Sequence, residues 1–517
     1  MDVVRLIGLR TLTSAAALLW LATLAAQSPQ LTSYPLMVSP TAPAGVDRGV
    51  RDLDLPRDPR TDATSRSVRQ RGPVLAGSVI VKFRPGTSTD VRRRLLAQVD
   101  GAPVAPVSDA PFEIASIDSS ADPEAVARLL DAQPDVEYAQ ARYRVYPRFT
   151  PNDPQYARQW NFPAIEMERA WDINQGAAPS ITVAVLDSGV AFRSAVMRYE
   201  APAFSLDGPT TTITFPALGV VDVPFAAAPD LDGANRFVSP RDFIWETADP
   251  LDLDGHGTHV AGTVGQLTNN GVGVAGMAFN VRIMPVKVIA GIWDAIFGSP
   301  RVGTDDVVAR GIRYAVDNGA KVINLSIGRS GRPAPAVHEA IAYAVSRGAF
   351  VVVAGGNAFE EGNDIERFAE FAPDIDGMVA VGAIGRDRRR AFYSNTGPYI
   401  ELVAPGGNTR VGGTGGGILQ QTFDFDFVDT FLRGPSQYRA PRFDMFAYDF
   451  LQGSSMAAPH VAGFAAMLMQ QGITSPAAIE AAMKRYAIDL GEPGRDNEYG
   501  YGLIDPRASL RGLGLAR

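Results

Sequence analysis

Short apolar runs rich in β-branched residues alternate with helical patterns from residue 181 onward. The runs lie at residues 181–186, 281–288, 322–327, 350–354, 378–381 and 400–403, and helical spacing occurs at 305–316 and 336–345. Strands buried on both faces need near-continuous apolar runs of this kind. The pattern therefore predicts an α/β fold in which helices flank a parallel β-sheet. Functional residues are expected at the carboxyl ends of its strands.

Composition narrows the class of protein. A chain of 517 residues is too long for one ordinary core, and 46% hydrophobic with 20% charged residues is typical of globular domains. The net charge of −8 gives no reason to expect nucleic acid or an anionic membrane as a partner. Because the chain has no cysteine, disulfides, a thiolate nucleophile and Cys-ligated zinc are excluded.

The N-terminus has the pattern of an export signal. Arg5 and Arg10 precede an apolar run at residues 15–26, which polar residues follow at once. This run is short for a membrane span and predicts a signal peptide at 1–27, with an uncleaved anchor as the alternative. We therefore expect a secreted protein, extracellular or periplasmic, with no stable membrane span after signal removal. Residues 28–75 are rich in Pro, Ser, Thr, Asp and Arg and predict a disordered linker.

A second pattern occupies residues 76–147. Strand alternation at 79–83, 112–117 and 136–145 encloses helical spacing at 91–99 and 123–130. This order predicts a small two-layer α+β domain ahead of the larger one.

Three short motifs carry the chemistry. They are Asp187-Ser188-Gly189, His256-Gly257-Thr258-His259, and the segment 453–459 around Ser455. A serine hydroxyl is a poor nucleophile until an imidazole takes its proton and a buried carboxylate orients that imidazole. The order Asp, His, Ser along the chain is the order found in subtilisin.

From these motifs, the chain resembles the subtilisin-like serine proteases (subtilases, peptidase family S8) over about residues 150–510. The resemblance implies a peptidase domain at 148–511. It also implies a monomeric serine endopeptidase that cleaves polypeptides through an acyl-enzyme. In it, Ser455 is the nucleophile, His256 the general base and Asp187 the residue that orients it. Ser454 stands where the family has Thr and is the competing nucleophile. Gly255 and Gly257 are expected to let the backbone pass close to the substrate.

The same resemblance assigns residues that hold the substrate. Asn357, after the apolar run 350–354, corresponds to the asparagine whose amide stabilises the oxyanion. Ser326, Ile327 and Gly328 correspond to the segment that pairs with the substrate backbone and forms one wall of the pocket for the residue before the cut. Glu360 and Glu361 are candidates for favouring a basic residue there, with a solvated acidic loop as the alternative.

Residues 76–147 resemble the I9-type inhibitory propeptide of subtilases, which has a ferredoxin-like fold. The resemblance implies a zymogen whose own propeptide acts as intramolecular inhibitor and folding aid. In that family the last residues of the propeptide lie in the substrate cleft, and the segment 136–139 and the tail 143–147 fit this role. Self-cleavage is expected at about residues 146–150.

A structural calcium ion is the expected cofactor, because the chain resembles the thermitase type at two places. Calcium binds carboxylate, amide and carbonyl oxygens. The resemblance gives the ligands Asp153, Asp242, Leu267, Asn270, Val272 and Val274.

Two alternatives and two insertions remain. His256 and His259 could be half of a zinc site in a metalloprotease, although zinc proteases favour histidines four apart with a glutamate between them. The chain could also be an inactive relative that serves as a binding protein or scaffold. Residues 191–250 and 408–450 are expected to be surface insertions.

Overall fold

The structure is a computed structural model that describes residues 74–104, 110–143, 149–207 and 212–512. The chain divides into two compact units, of which the larger includes Phe149–Ser509. The predicted signal peptide at 1–27, nearly all of the predicted linker and most of the expected self-cleavage region lie outside the described residues. Within the described ranges, no helix is long and apolar enough to cross a bilayer.

The smaller unit is a four-stranded antiparallel sheet with two helices. Its elements are β1 (Val74–Phe83), α1 (Thr89–Ala97), β2 (Ala102–Val104), β3 (Glu113–Ser116), α2 (Pro123–Asp131) and β4 (Val136–Tyr143). The strand order β2-β3-β1-β4 is that of the ferredoxin-like fold, which the resemblance implied. Strand β2 was not predicted, because three residues are too few to show a period.

Local sequence explains where these elements begin. The Asp122 side chain accepts a hydrogen bond from the Glu124 N–H and Pro123 occupies the first turn, so α2 begins there. In β1, Val79 and Val81 alternate onto the buried face and form the core with α1 and α2.

The larger unit contains a parallel sheet of seven strands, as the apolar runs predict. In spatial order the strands are β10 (Arg241–Asp242), β11 (Arg282–Lys287), β5 (Thr182–Asp187), β12 (Val322–Leu325), β13 (Phe350–Ala354), β14 (Met378–Ile384) and β15 (Leu402–Pro405). Every residue of β5 is buried, because neighbouring strands and helices cover both its edges and both its faces. Strand β10 was not predicted, because its two residues are too few to show a periodic pattern.

Helices cover the sheet. They are α3 (Asn161–Ala164), α4 (Met167–Trp171), α5 (His256–Gly265), α6 (Ile292–Ile296), α7 (Asp305–Asp317), α8 (Pro335–Ser346), α9 (Phe425–Val428), α10 (Ser454–Gln470), α11 (Pro476–Tyr486) and α12 (Pro506–Gly512). Helix α10 is buried over nearly its whole length, which agrees with its lack of charged residues.

The strand order reverses at β5, which lies between β11 and β12. From β5 the chain crosses to β10 and β11 on one side and then returns past β5 to β12 on the other, which opens a crevice at the carboxyl end of β5. Asp187 is the last residue of β5, so it lies at the edge of the sheet where this crevice opens.

The expected surface insertions are more ordered than predicted. Residues 191–250 contain two antiparallel pairs, β6 (Ala195–Ala201) with β9 (Gly219–Phe225), and β7 (Phe204–Asp207) with β8 (Thr212–Phe215). Residues 408–450 include β16 (Ile418–Phe423), which pairs with β17 (Phe446–Leu451). All of β16 is buried, so the prediction of a surface insertion is wrong there. The strand packs beside α5, where its Ile418 carbonyl oxygen lies 3.0 Å from Nε2 of His259.

Candidate active site

Asp187 and His256 meet at the carboxyl end of β5. The Nδ1 atom of His256 lies 2.7 Å from Oδ1 of Asp187, and the Asp187 side chain is fully buried. The Ser188 N–H donates to the same carboxylate oxygen at 2.7 Å. A carboxylate bonded to Nδ1 holds that nitrogen as the protonated one, so Nε2 is the ring nitrogen that can accept a proton.

A second buried carboxylate, Asp252, fixes the loop before His256. Its Oδ1 accepts from the Gly255 N–H and the Ser188 hydroxyl, both at 2.9 Å, and its Oδ2 accepts from the Thr258 N–H at 3.0 Å. These bonds tie the end of β5 to the start of α5. Asp252 is thus a positioning residue that the sequence reasoning missed, since buried and exposed aspartates look alike in a loop.

The two glycines that flank His256 stand where the fold packs closely. A Cβ atom on Gly257 would overlap the backbone oxygen of Gly189, and one on Gly255 would lie 2.8 Å from Oγ1 of Thr422. Gly255 also has a φ of 105°. Close packing of α5 against the segment after β5 and against β16 therefore requires glycine at both positions. That they also let the backbone pass close to the substrate stays a prediction.

Opposing influences act on the pKa of His256. Burial lowers it, but the negative charge and hydrogen bond of Asp187 raise it, with smaller contributions from Asp254 and Asp252. The net result is a pKa above the ordinary value of histidine. The Asp187 carboxylate therefore stabilises the imidazolium that forms when His256 takes up a proton.

Ser455 begins the buried helix α10. Its hydroxyl donates to the carbonyl oxygen of Ser326 at 3.0 Å, and the Ser326 hydroxyl donates to the carbonyl oxygen of Ser455 at 2.7 Å. These reciprocal bonds connect the predicted nucleophile to the predicted substrate-binding segment. The Ser455 hydroxyl can leave this bond by rotation about a single side-chain torsion, which has three staggered positions.

Asn357 lies beside the same helix start. Its side-chain oxygen accepts from the Ser454 N–H at 2.8 Å, which leaves its amide nitrogen as a donor. A Cβ built on Gly453 would lie 3.4 Å from that nitrogen and 3.6 Å from the backbone nitrogen of Ser455. Two N–H donors thus border one small space next to Ser455, as an oxyanion hole requires.

Ser454, the competing nucleophile, is engaged in structure. Its hydroxyl oxygen accepts from the Gly356 N–H at 3.1 Å, and the side chain is buried. This bond joins α10 to the loop that carries Asn357. Ser454 therefore helps to position the two donors.

His259 does not join His256 in a metal site. Its Nε2 lies 3.0 Å from the Ile418 carbonyl oxygen and 3.3 Å from that of Asp449, both of which require a donor. Burial lowers the pKa of His259 to about 3, so the ring is neutral. In the described part of the chain, no group of three His, Cys, Asp or Glu side chains is arranged to hold a metal ion.

Most of the predicted calcium ligands come together around a carboxylate that was not predicted. Asp230 is fully buried; its Oδ1 accepts from the Asn270 amide at 2.8 Å and its Oδ2 from the Val274 N–H at 3.1 Å. Its backbone oxygen accepts from the Leu267 N–H at 3.0 Å. The Val272 N–H donates to the Asn270 side-chain oxygen at 2.8 Å.

Asp153 adjoins the same loop. Its carboxylate accepts from the Asn269 N–H at 2.8 Å and from the Asn270 N–H at 3.2 Å. Burial raises the pKa of Asp153, and burial together with the charge of Asp153 raises that of Asp230 to about 6. Two buried carboxylates that contact the same loop favour a cation beside them.

Asp242 is not part of this cluster. It pairs in β10 opposite Lys287, and its Oδ1 accepts from the Ile244 and Trp245 N–H groups at 2.7 and 2.9 Å. The buried Lys287–Asp294 ion pair, 2.8 Å long, lies beside it. The prediction of Asp242 as a ligand is therefore corrected to Asp230. Sequence gave no signal for this, because Asp230 and the exposed Asp232 stand in the same loop.

Comparisons with known proteins agree with this geometry. The sequence profile of the Subtilase family (peptidase S8) matches residues 179–502. The chain belongs to the subtilase family. Like other subtilases, it is a serine endopeptidase.

Relatives cover most of the chain. A thermophilic serine proteinase of Bacillus sp. (strain AK1) is 29% identical over 91% of this chain and 94% of its own length. Thermitase of Thermoactinomyces vulgaris is 30% identical over 67% of this chain and 94% of its own. A solved protease of Pseudoalteromonas arctica PAMC 21717 is 28% identical with a TM-score of 0.50, and the match covers 70% of this chain and 99% of that one.

This subtilase also carries a propeptide. A profile of the fervidolysin N-terminal prodomain matches residues 62–141. The match includes the ferredoxin-like unit and begins inside the segment that was predicted as a linker. The recognition of the small unit as a subtilase propeptide is confirmed.

Proposed function

We propose that this subtilase is a secreted, autoprocessed endopeptidase in which Asp187, His256 and Ser455 form the catalytic triad. The observation that carries the proposal is the 2.7 Å contact between the buried Asp187 carboxylate and Nδ1 of His256. It supports a general base with Nε2 available, in a crevice that also contains the start of α10.

In the first chemical step, Nε2 of His256 takes the Ser455 hydroxyl proton while the oxygen attacks the substrate carbonyl carbon. The carbonyl oxygen becomes an oxyanion, which accepts hydrogen bonds from the Asn357 amide and the Ser455 N–H. The charged imidazolium is stabilised by Asp187 and returns the proton to the leaving amine. Water then repeats the sequence to release the acyl group from Ser455.

The substrate backbone would pair with the segment Ser326–Ile327–Gly328, which follows β12. Main-chain hydrogen bonds of this kind give affinity, and side-chain pockets give preference. The bond between Ser326 and Ser455 supports this assignment, because it holds the pairing segment next to the nucleophile.

We further propose that residues 76–147 act as an intramolecular inhibitor and are removed by self-cleavage at about residues 146–150. Support comes from the prodomain match and the ferredoxin-like fold of this unit. Support for export comes from the signal pattern at residues 1–27 and from the similarity to a relative named as an extracellular basic protease, from Dichelobacter nodosus.

Covalent labelling tests the proposal directly. An organofluorophosphonate is expected to add to Ser455 of the mature protein, one adduct per chain, with complete loss of peptidase activity. Peptide mapping by mass spectrometry locates the adduct. Labelling of Ser454 would show that Ser455 is not the nucleophile. A protein that is active but unlabelled would favour the metalloprotease alternative. An unlabelled, inactive protein would favour the scaffold.

We propose calcium as a structural ion held by Asp153, Asp230 and Asn270, with carbonyl oxygens of Leu267, Val272 and Val274. These residues offer the oxygen ligands that a hard cation prefers. The buried carboxylates of Asp153 and Asp230 contact the same loop, where they accept hydrogen bonds from N–H and O–H groups. When bound, the ion would neutralise the charges of Asp153 and Asp230 and hold the loop in one conformation. The loop follows α5, so its order supports the helix that begins with His256.

Removal of calcium is expected to lower thermal stability. The physical reason is linkage: a ligand present at 100 times its Kd stabilises the folded state by about 2.7 kcal/mol. The measurement is the melting temperature of fluorophosphonate-blocked enzyme in calcium and in a chelator. Blocking prevents self-digestion from obscuring the result.

Two isosteric variants identify the second carboxylate. Asp230→Asn is expected to abolish the calcium-dependent rise in melting temperature, whereas Asp242→Asn is expected to keep it, even if its baseline stability is lower. A calcium response that survives in Asp230→Asn and disappears in Asp242→Asn would reverse the correction made above.

A further inference from the structure

Two glycine-containing segments face each other beside the candidate nucleophile. Gly328 ends the predicted substrate-pairing segment, and Gly356 precedes the oxyanion residue Asn357. The side chain of Glu366 lies between them. A Cβ on Gly328 would overlap Cδ and Oε1 of Glu366, and one on Gly356 would lie 3.3 Å from its Cβ. Glu366 therefore contacts both walls of the slot: its carboxyl group lies against Gly328, and its Cβ lies near Gly356, beside the Asn395 amide.

Backbone N–H groups hold this carboxyl in place. Oε1 accepts from the Arg329 N–H at 2.6 Å and from the Phe368 N–H at 3.3 Å. The Arg329 guanidinium is directed elsewhere, since its Nε donates to Asp305 at 2.7 Å. Glu366 is thus positioned by the backbone, while its nearest arginine is already paired with another carboxylate.

The environment of Glu366 favours a positively charged ligand. Protein surrounds most of the side chain, yet the residue keeps partial exposure to solvent. Burial raises the pKa of Glu366 to about 8, against the opposing effects of its N–H bonds and the charge of Arg329. A cation placed against the carboxyl would restore its ionised form.

The two glutamates singled out in the sequence lie in a different setting. Glu360 is exposed and forms an ion pair with Arg410 on the surface, and Glu361 is also exposed. Glu366 is the glutamate whose side chain lies against Gly328 and near Gly356. The exposure of Glu360 and Glu361 agrees with the alternative of a solvated acidic loop.

We propose that Glu366 makes this subtilase prefer arginine or lysine at the residue that donates the scissile carbonyl. This inference rests on the proposed function, since it needs Ser455 as the nucleophile and the segment 326–328 as the pocket wall. The side chain of the substrate would enter between Gly328 and Gly356, and its terminal cation would pair with the Glu366 carboxylate. A buried pair of opposite charges gives selectivity, because a substrate with a neutral side chain leaves the carboxylate without an opposite charge beside it.

Chromogenic peptides that differ only in the residue before the cut test this inference. Wild-type enzyme is expected to give a higher kcat/KM for Arg and Lys than for Phe, Leu or Ala. In Glu366→Gln, kcat/KM for Arg and Lys is expected to fall at least about tenfold, while that for Phe is kept or rises. Glu360→Gln is the matched control, and its Arg-to-Phe ratio is expected to equal that of the wild type.

The wild-type profile is decisive even if Glu366→Gln does not fold. A wild-type preference for Phe or Leu would overturn the inference, and a preference for Ala would mean that Glu366 fills the slot and limits its size. An unchanged Arg-to-Phe ratio in folded Glu366→Gln would also overturn it. In each of these cases peptides are cleaved, so the proposed function stands. Failure to cleave any peptide, with no fluorophosphonate labelling, would instead refute the proposed function.

Discussion

Ser455→Ala is expected to accumulate as a full-length precursor and to lose peptidase activity by about a millionfold, the loss known for the same change in subtilisin. The reason is that no other hydroxyl can take its place: the Ser454 oxygen accepts a hydrogen bond from Gly356 and lies in the interior. Both self-cleavage and cleavage of added peptides need the Ser455 oxygen. Electrophoresis and N-terminal sequencing measure the first, and peptide hydrolysis measures the second.

Ser454→Ala is the appropriate comparison for this experiment. It removes a hydroxyl from the neighbouring position and breaks one hydrogen bond, so a modest loss of rate is expected with maturation preserved. Maturation of Ser455→Ala at the wild-type rate, in a host without helper proteases, would contradict self-cleavage. Equal losses in the two variants would show that the helix start, and not one oxygen, is essential.

Asp187→Asn is expected to reduce kcat roughly ten-thousandfold, because the amide can no longer hold His256 in the tautomer that leaves Nε2 unprotonated. The acid limb of the pH profile should also move. Asp187 raises the pKa of His256, so its replacement by a neutral group lowers that pKa and lets the base form persist at lower pH. The plateau rate therefore falls while the acid limb shifts toward lower pH, as kcat/KM measured across pH would record.

Asp254→Asn separates charge from orientation. Asp254 also raises the pKa of His256, but it bonds the His256 backbone N–H at 3.1 Å and not the ring. Its replacement should shift the acid limb in the same direction with a far smaller loss of plateau rate. If the two variants lost equal activity, the role of Asp187 in orienting the ring would be refuted.

The elements of the main sheet and its helices are predicted better from the sequence than the structure of the insertions. The strand predicted at residues 350–354 is observed as Phe350–Ala354, and the helix predicted at 305–316 is observed as Asp305–Asp317. Such segments can be predicted from sequence, because burial of one face or of both faces imposes a regular pattern of apolar residues. Strand β16 was taken for part of a surface loop, since its Gln and Thr residues suggest exposure while the fold buries them against α5.

The sequence by itself determined the family, the fold class and the residues proposed for the triad, because motifs of fixed spacing and buried apolar runs are local properties of the chain. Only the tertiary structure decided which carboxylates matter around them. Asp230 takes the place of Asp242 in the proposed calcium site, Asp252 is the anchor of the His256 loop, and Glu366 takes the place of Glu360 in the proposed pocket. The reason is physical: the effect of a carboxylate depends on its burial and partners, and those partners come from segments far away in the chain.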